Sequence, residues 1–209
     1  AWTEEELNSF LRATQGDAWH LPLRLSATTG MRRAEVLGLR WRDINFAGSS
    51  LTVRQTLLSI GYETTFDTPK NHKPRTIDLD PVTIGLLKQH RIEQENLERE
   101  AGDDYFDSDL VFVRDDGSLL HPDSYTQAFD RLVSQQEGLT RICLKDLRHT
   151  HASLLLRAGV PVKVVSERLG HSDPGFTHRV YAHVLPSMQA EAALLFAALI
   201  DTEPHAEAS

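Results

Sequence analysis

The sequence predicts a mainly α-helical α+β fold with one small antiparallel sheet of three strands. Two observations predict it. Apolar residues recur at helical spacing over most of the 209 residues, and three segments within residues 43–79 have β-branched or alternating character. The chain is long enough to bury a substantial core, and no apolar stretch approaches the length that spans a bilayer. We therefore expect a cytoplasmic protein without membrane partners.

The N-terminal part is predicted to contain three helices. Thr3 and Glu6 form a capping box, and Leu7, Phe10 and Leu11 give the first helix its apolar stripe. A second helix is expected over about residues 17–28, stopping at Gly30, and a short third helix over residues 33–39.

Three strands are predicted next, at residues 43–46, 51–59 and 75–79, with turns at residues 48–50 and at Gly61. Each segment has β-branched or alternating residues, and glycine or serine separates the first two. Together they predict a small three-stranded antiparallel sheet.

The C-terminal part is predicted to be helical again. Pro81 begins a long charged helix to about Glu100, an acidic loop covers residues 101–108, and Pro122 begins a helix with one apolar face. Asp146 is expected to cap a helix that ends at Gly159, and another helix runs from Pro161 to Gly170. An alanine-rich helix over residues 188–200 and a disordered tail over residues 201–209 complete the prediction.

The net charge of −8 is unevenly distributed. Residues 24–75 carry nine Lys/Arg against four Asp/Glu, and residues 141–179 carry seven against three. Residues 91–130 reverse the balance, with twelve acids against three bases. Positive charge is therefore concentrated in two blocks, which favours a polyanionic partner despite the acidic total.

The single cysteine, Cys143, excludes an internal disulfide and fits a reducing compartment. Its neighbours Ile142 and Leu144 are apolar, so we expect a small buried side chain.

Five local motifs follow one another in a fixed order. They are Thr29-Gly30-Met31-Arg32-Arg33-Ala34-Glu35, Thr68-Pro69-Lys70 leading into Arg75-Thr76-Ile77, Leu144-Lys145-Asp146-Leu147-Arg148-His149-Thr150, Leu169-Gly170-His171-Ser172 and Tyr181-Ala182-His183. Together they resemble the catalytic set of the tyrosine recombinases, the phage-integrase family. The resemblance covers residues 1–195 and implies the catalytic-domain fold of that family.

The resemblance implies site-specific cleavage and rejoining of DNA strands through a 3′-phosphotyrosyl intermediate, independent of metal, cofactor and ATP. Arg32 and Arg148 suit the stabilisation of phosphate charge, because guanidinium groups are permanently charged and present paired donors. Tyr181 is the implied nucleophile, Lys70 the general acid, and His171 a hydrogen-bond partner of the phosphate. Lys73 remains the alternative to Lys70.

Lys145 departs from the pattern, because the family usually has histidine three residues before the second arginine. An ordinary lysine is protonated at neutral pH and cannot accept a proton, so we expect Lys145 to donate to the phosphate. Glu35 is expected to be structural and to orient Arg32. His149 and His151 could suggest a metal site, but the chain has one cysteine and no acidic ligand pattern, and we expect no metal.

Two alternatives remain: an activity like that of type IB topoisomerases, and a non-catalytic DNA-binding module in which residues 152–169 resemble a helix-turn-helix. The expected partners are double-stranded DNA, further copies of the chain in a tetramer on paired DNA sites, and accessory DNA-bending proteins. Residues 1–200 are expected to form the catalytic domain. The N-terminal DNA-clamping (core-binding) domain of the family is absent from this sequence, so we expect the chain to be a fragment.

Overall fold

The computed structural model describes residues 1–61, 63–69, 73–171 and 174–181, with residues 193, 194, 196 and 197, and only the backbone at 174, 176 and 178. Lys70, the tail at residues 201–209 and most of the helix expected over residues 188–200 lie outside the described residues. Among the helices that are described, none is both long enough and apolar enough to cross a membrane.

Eight α-helices are found in the described part of the chain. They are α1 Glu4–Ala13, α2 His20–Thr29, α3 Arg33–Leu37, α4 Pro81–Ala101, α5 Pro122–Ser134, α6 Asp146–Arg157, α7 Val162–Leu169 and α8 Pro174–Tyr181. Seven of them correspond to predicted helices. The main difference is at the start of α2, where Asp17 forms a turn and its carboxylate accepts from the backbone N–H of Trp19.

The capping box at the start of α1 is confirmed, since Thr3 and Glu6 each accept a hydrogen bond from the other's backbone N–H. The predicted cap of α6 is wrong. Lys145 occupies the N-cap position without a side-chain bond, and Asp146 is already helical. The Asp146 carboxylate instead accepts from the backbone N–H and the thiol of Cys143, which is exposed and not buried as expected.

The predicted three-stranded antiparallel sheet is confirmed, in the order β1 (Ile44–Asn45), β2 (Ser50–Val53), β5 (Arg75–Asp78). The single strand expected over residues 51–59 is wrong. It is divided into β2 and β3 (Thr56–Ile60), and β3 pairs with β4 (Glu63–Asp67) in a separate hairpin. The division is at Gln55, whose side chain donates to the carbonyl of Gly38 at the end of α3.

The main core joins the first helix to the second half of the chain. The rings of Trp2, Phe10 and Phe129 lie 4.9–5.9 Å apart, and each side chain is almost completely buried. Burying one such ring stabilises the fold by about 2–3 kcal/mol. The backbone N–H of Trp2 also donates to Thr150 on α6. This core fixes α6, on whose first turn Arg148 lies.

A second, smaller apolar cluster lies between α6, α7 and α8. Its buried members are Ala152, Leu156, Val165, Leu169 and Tyr181. The cluster places the last residue of α8 against α6, and so determines the position of Tyr181.

Candidate active site

The first motif lies at the junction between α2 and α3. Gly30 ends α2 in the left-handed conformation, with φ of 68°. A Cβ atom there would lie 2.6 Å from a methyl carbon of Leu169 and 2.8 Å from the ring of His151. Only glycine fits both the conformation and the space. The close packing brings Arg32, two residues later, beside the end of α7.

The structural role expected of Glu35 is confirmed. Its side chain is 1% exposed, and its carboxylate accepts from the backbone N–H and the Nη1 of Arg32 at 2.8 and 2.9 Å. It also accepts from Nη1 and Nη2 of Arg75 at 2.9 and 2.7 Å. Burial alone would raise its pKa, but the bonds and charges of Arg75 and Arg32 outweigh burial and hold the pKa below its ordinary value.

Arg75, at the start of β5, is a site residue whose role its local sequence did not predict. Its side chain is 10% exposed, and its Nε donates to the carbonyl of Arg168 at 2.9 Å. A Cβ on Gly170 would come within 2.8 Å of the Arg75 side chain. Arg75 therefore connects Glu35 to the end of α7, just before His171.

Arg148, on the first turn of α6, is oriented by two backbone carbonyls. Nη1 donates to Gly30 at 2.7 Å, and Nη2 donates to Leu169 at 2.6 Å. Burial, and then the charge of Arg32, lower the pKa of Arg148, while Glu35 opposes them in part. The guanidinium is thus a desolvated cation close to another cation, an arrangement that an incoming anion would relieve.

His171 follows Gly170, which ends α7 in the left-handed conformation. Its Nδ1 lies 2.6 Å from the hydroxyl oxygen of Thr177 on α8. Burial, then Arg148 and Arg32, lower its pKa to about 4. The ring is therefore neutral at pH 7 and can take part in hydrogen bonds without adding charge.

Tyr181 is the last residue of α8 and is only 3% exposed. Its ring packs in the second apolar cluster, and its hydroxyl oxygen lies 2.7 Å from Nδ1 of His149. Burial raises the pKa of the phenol, and the charge of Arg148 lowers it by a smaller amount. The hydroxyl therefore stays protonated near neutral pH.

The two remaining predicted residues are not placed at this centre by any described contact. Lys145 is exposed at the N-cap of α6, and Lys70 lies outside the described residues, whereas its alternative, Lys73, is described and exposed. The structure brings together Arg32, Arg148, His171 and Tyr181. The charge of Arg32 acts to lower the pKa values of Arg148 and His171, and the charge of Arg148 acts to lower those of His171 and Tyr181. It adds Arg75 and His149, both of which lie inside the five sequence motifs given above.

His149 and His151 do not face a common point. His149 contacts Tyr181, whereas Nδ1 of His151 lies 3.0 Å from the carbonyl oxygen of Ala27 in the core. Among the described residues, no group of histidine, cysteine and carboxylate side chains is arranged to hold a metal ion.

The motifs, the mainly helical fold and the grouping of Arg32, Arg148, His171 and Tyr181 are together typical of the phage-integrase class of proteins. Residues 2–188 match the phage integrase family, and the chain belongs to that family. It is 30% identical over 207 residues to a XerC-like tyrosine recombinase of Caldanaerobacter subterraneus subsp. tengcongensis, covering 91% of this chain and 52% of the relative. It is 28% identical over 198 residues to the ICEBs1 integrase of Bacillus subtilis, covering 92% and 52%. The chain thus spans about half the length of these relatives.

Solved structures share the fold. The Tn1549 transposon integrase, in complex with a circular intermediate DNA, superposes with a TM-score of 0.77 at 22% identity, covering 93% of this chain and 65% of that one. The catalytic domain of bacteriophage HP1 integrase superposes with a TM-score of 0.61 at 21% identity, covering 97% and 98%. XerH recombinase bound to its difH substrate gives 0.68 at 26% identity, covering 93% and 53%.

Proposed function

We propose that this chain is the catalytic domain of a site-specific DNA recombinase, formed by residues 1–200, that cleaves and rejoins strands through a 3′-phosphotyrosyl intermediate. The observation that carries the proposal is the proximity of four motif residues that are far apart in the sequence. Arg32, Arg148, His171 and Tyr181 come from different elements, yet each arginine influences the pKa of His171, and Arg148 influences that of Tyr181. Phosphoryl transfer requires such a cluster.

The charge balance of the centre suits a DNA phosphate. Arg32, Arg75 and Arg148 are set against the carboxylate of Glu35, which leaves an excess of positive charge among these four residues. Arg148 is partly buried and fixed by two carbonyls, so its charge needs no rearrangement when an anion arrives. Preorganised cations of this kind stabilise the charge that develops on the non-bridging oxygens. His171 and Lys145 would add hydrogen bonds to the same oxygens.

The reaction exchanges one phosphodiester bond for another. The Tyr181 oxygen attacks phosphorus and loses its proton, the bond from phosphorus to the 5′ oxygen breaks, and the 5′ oxygen takes a proton from a general acid. We assign the acid to Lys70, with Lys73 as the alternative, on the family resemblance. Because the phosphotyrosyl link conserves the bond energy, a second 5′ hydroxyl can reverse the steps without ATP.

Partners are proposed on the same basis. The related integrase and recombinase structures described above contain DNA, which supports double-stranded DNA as the partner here. Exchange between two duplexes requires several active sites at once, so we propose self-association into a tetramer on paired sites. Accessory DNA-bending proteins would assist where the sites must be brought together.

The experiment is covalent capture. The chain is incubated in excess EDTA with a pool of nicked duplexes carrying randomised arms, and the DNA attached to protein after denaturation is sequenced. The parent protein should yield an adduct on Tyr181, and Tyr181→Phe should yield none while binding DNA with unchanged affinity, because only one hydroxyl is lost.

An undiminished adduct in Tyr181→Phe would identify another nucleophile, and a strict requirement for magnesium would exclude this mechanism. Tyr125→Phe is the matched control. Tyr125 is a buried phenol outside the site that is hydrogen-bonded to the Ser26 hydroxyl and the Pro22 carbonyl, and this variant also loses one hydroxyl oxygen. Relaxation of supercoiled plasmid without any strand exchange would favour the topoisomerase alternative.

A further inference from the structure

The side chain of His149 contacts the hydroxyl group of Tyr181, the proposed nucleophile. Its Nδ1 lies 2.7 Å from the Tyr181 hydroxyl oxygen, within normal hydrogen-bond range, and the ring centroids are 5.8 Å apart. The contact joins α6 to α8, so it depends on the fold and not on sequence proximity. His149 is only partly buried, whereas the tyrosine ring is enclosed.

The direction of the hydrogen bond follows from the protonation of the two groups. Burial raises the pKa of Tyr181, so its hydroxyl keeps its proton near neutral pH. Burial, in opposition to Asp146 and together with Arg148, lowers the pKa of His149, so the imidazole is neutral. In a neutral ring one nitrogen accepts. The arrangement that satisfies both groups has the tyrosine O–H donating to Nδ1, with the ring proton on Nε2.

Lys145 makes this contact chemically significant. It occupies the place where the resemblance leads one to expect a histidine, and a lysine ammonium there has no lone pair to accept a proton. A phenol that burial keeps protonated needs a proton acceptor before it can attack phosphorus. His149 lies within the reach that proton transfer requires.

We propose that His149 is the general base of strand cleavage in this chain, taking the proton from Tyr181 as the tyrosine oxygen attacks phosphorus. The inference rests on the proposed recombinase function. The O–H bond of Tyr181 breaks, Nδ1 gains the proton, the bond from tyrosine oxygen to phosphorus forms, and the bond to the 5′ oxygen breaks. The departing oxygen is protonated by the separate general acid. On rejoining, the imidazolium returns its proton to the tyrosine.

The first test needs no DNA. Nitrogen NMR of histidine-labelled protein at neutral pH should find Nδ1 of His149 unprotonated and Nε2 protonated. Tyr181→Phe should raise the pKa of His149, because it removes a donor that favours the neutral ring. A ring protonated on Nδ1, or a pKa unaffected by Tyr181→Phe, would overturn the proposal.

The second test uses the DNA captured from the randomised pool, in single-turnover cleavage. His149→Ala should slow cleavage by about 100-fold or more, the usual contribution of a general base. His149→Asn separates the two roles of the ring. Its amide oxygen can still accept from the tyrosine hydroxyl but cannot take the proton, so it should be as slow as alanine. Cleavage by the asparagine variant at the parent's rate would reduce His149 to a positioning residue.

The pH profile identifies the titrating group. The charged or titratable groups that influence or contact His149 are Asp146, Arg148, Lys145, the α-amino group of Ala1, His171 and Tyr181. The parent's rate should rise as His149 loses its proton, at a pKa below 6.5, and level off above it. The alanine variant should lack that step and instead accelerate towards the pKa of the phenol. Lys145→Ala should be slower than the parent but keep the step.

A better leaving group distinguishes base from acid. With a 5′-bridging sulfur in place of oxygen, the leaving group needs no proton, so a variant that lacks the general acid recovers. His149→Ala should remain slow on this substrate, and full recovery would contradict a role as base.

The matched control is His121→Asn. His121 lies outside the site, where it contacts the Ser59 hydroxyl at 2.8 Å, so this variant should cleave DNA at the parent's rate. If the parent forms no adduct, the recombinase function fails; if the parent is active and His149→Asn equals it, only this inference fails.

Discussion

A single carboxylate, that of Glu35, holds two of the guanidinium groups of the site. It is almost fully enclosed, and it has four hydrogen bonds from Arg32 and Arg75. A buried charge with this many partners differs from a surface pair such as Arg33 with Asp123, whose side chains are 41% and 63% exposed. Removing one partner from a buried pair leaves the others uncompensated, whereas exposed pairs contribute little.

Glu35→Gln should therefore destabilise the protein by about 3 kcal/mol, the usual cost of breaking a buried ion pair. Denaturant unfolding measures the loss, with Asp123→Asn as the surface control at below about 1 kcal/mol. Because the folded pKa of Glu35 is lowered, its stabilisation is complete above the unfolded pKa and is lost as pH falls through the folded value. The glutamine variant should lose part of this acid dependence, and an unchanged dependence would contradict the assignment.

The sequence could predict which residues are candidates for the chemistry, but not all of their partners. Arg32, Arg148, His171 and Tyr181 stand in local patterns, and Glu35 lies one helical turn from Arg32. Arg75 and His149 acquire their roles from contacts 40 and 32 residues apart in sequence, which local pattern cannot reveal. The exposed Cys143 shows the converse, because apolar neighbours in sequence do not determine which side of a turn faces solvent.

At the scale of elements, the site depends on how the end of α2 meets α6 and α7. The carbonyl of Gly30 accepts from Arg148, and the space beside its Cα is filled by Leu169 and His151. One residue thus sets the approach of three helices. Gly170, at the end of α7, is packed against Arg75 in the same way.

Gly30→Ala should lower both stability and the cleavage rate. The left-handed conformation costs a residue with Cβ about 1–2 kcal/mol, and the new methyl group must also displace Leu169 or His151. Gly16→Ala is the control, because Gly16 has φ of 86° but no neighbouring atom within 4 Å of a Cβ. It should show the conformational cost alone and cleave DNA normally. Equal losses of cleavage in the two variants would show that packing at Gly30 is not what the site requires.

The elements that could be predicted are those with strong local signals. The first helix has its capping box, and α4 and α5 begin with proline. The β3–β4 hairpin was missed because β4 has no buried residue and β3 is buried only at its first two positions, so neither strand shows an alternating pattern. A hairpin that projects from the core takes its register from its turn and leaves little trace in hydropathy.

Considered as a whole, the molecule is acidic yet has a cationic centre. The acids between residues 91 and 130 belong largely to α4, the 3₁₀ turn at Gly102–Asp104 and the loop that follows. The cations of the centre come from the N-cap of α3, from β5 and from α6. We therefore expect the net charge of −8 to oppose DNA at long range, and the proposed site to attract phosphate at short range.

This arrangement predicts weak binding of non-specific duplex DNA with a steep dependence on salt. Each phosphate neutralised by a cation contributes about −0.9 to the slope of log affinity against log salt concentration. Arg32→Ala should reduce the magnitude of that slope by about 1, because the Arg32 side chain is 38% exposed and so remains accessible to a phosphate. Arg99→Ala removes an exposed arginine from the acidic helix α4, where it donates to Asn96, and should leave the slope unchanged. Fluorescence anisotropy from 50 to about 200 mM salt measures all three proteins. Tight binding that is insensitive to salt, or equal changes in the two variants, would show that net charge and not the arginine centre governs contact with DNA.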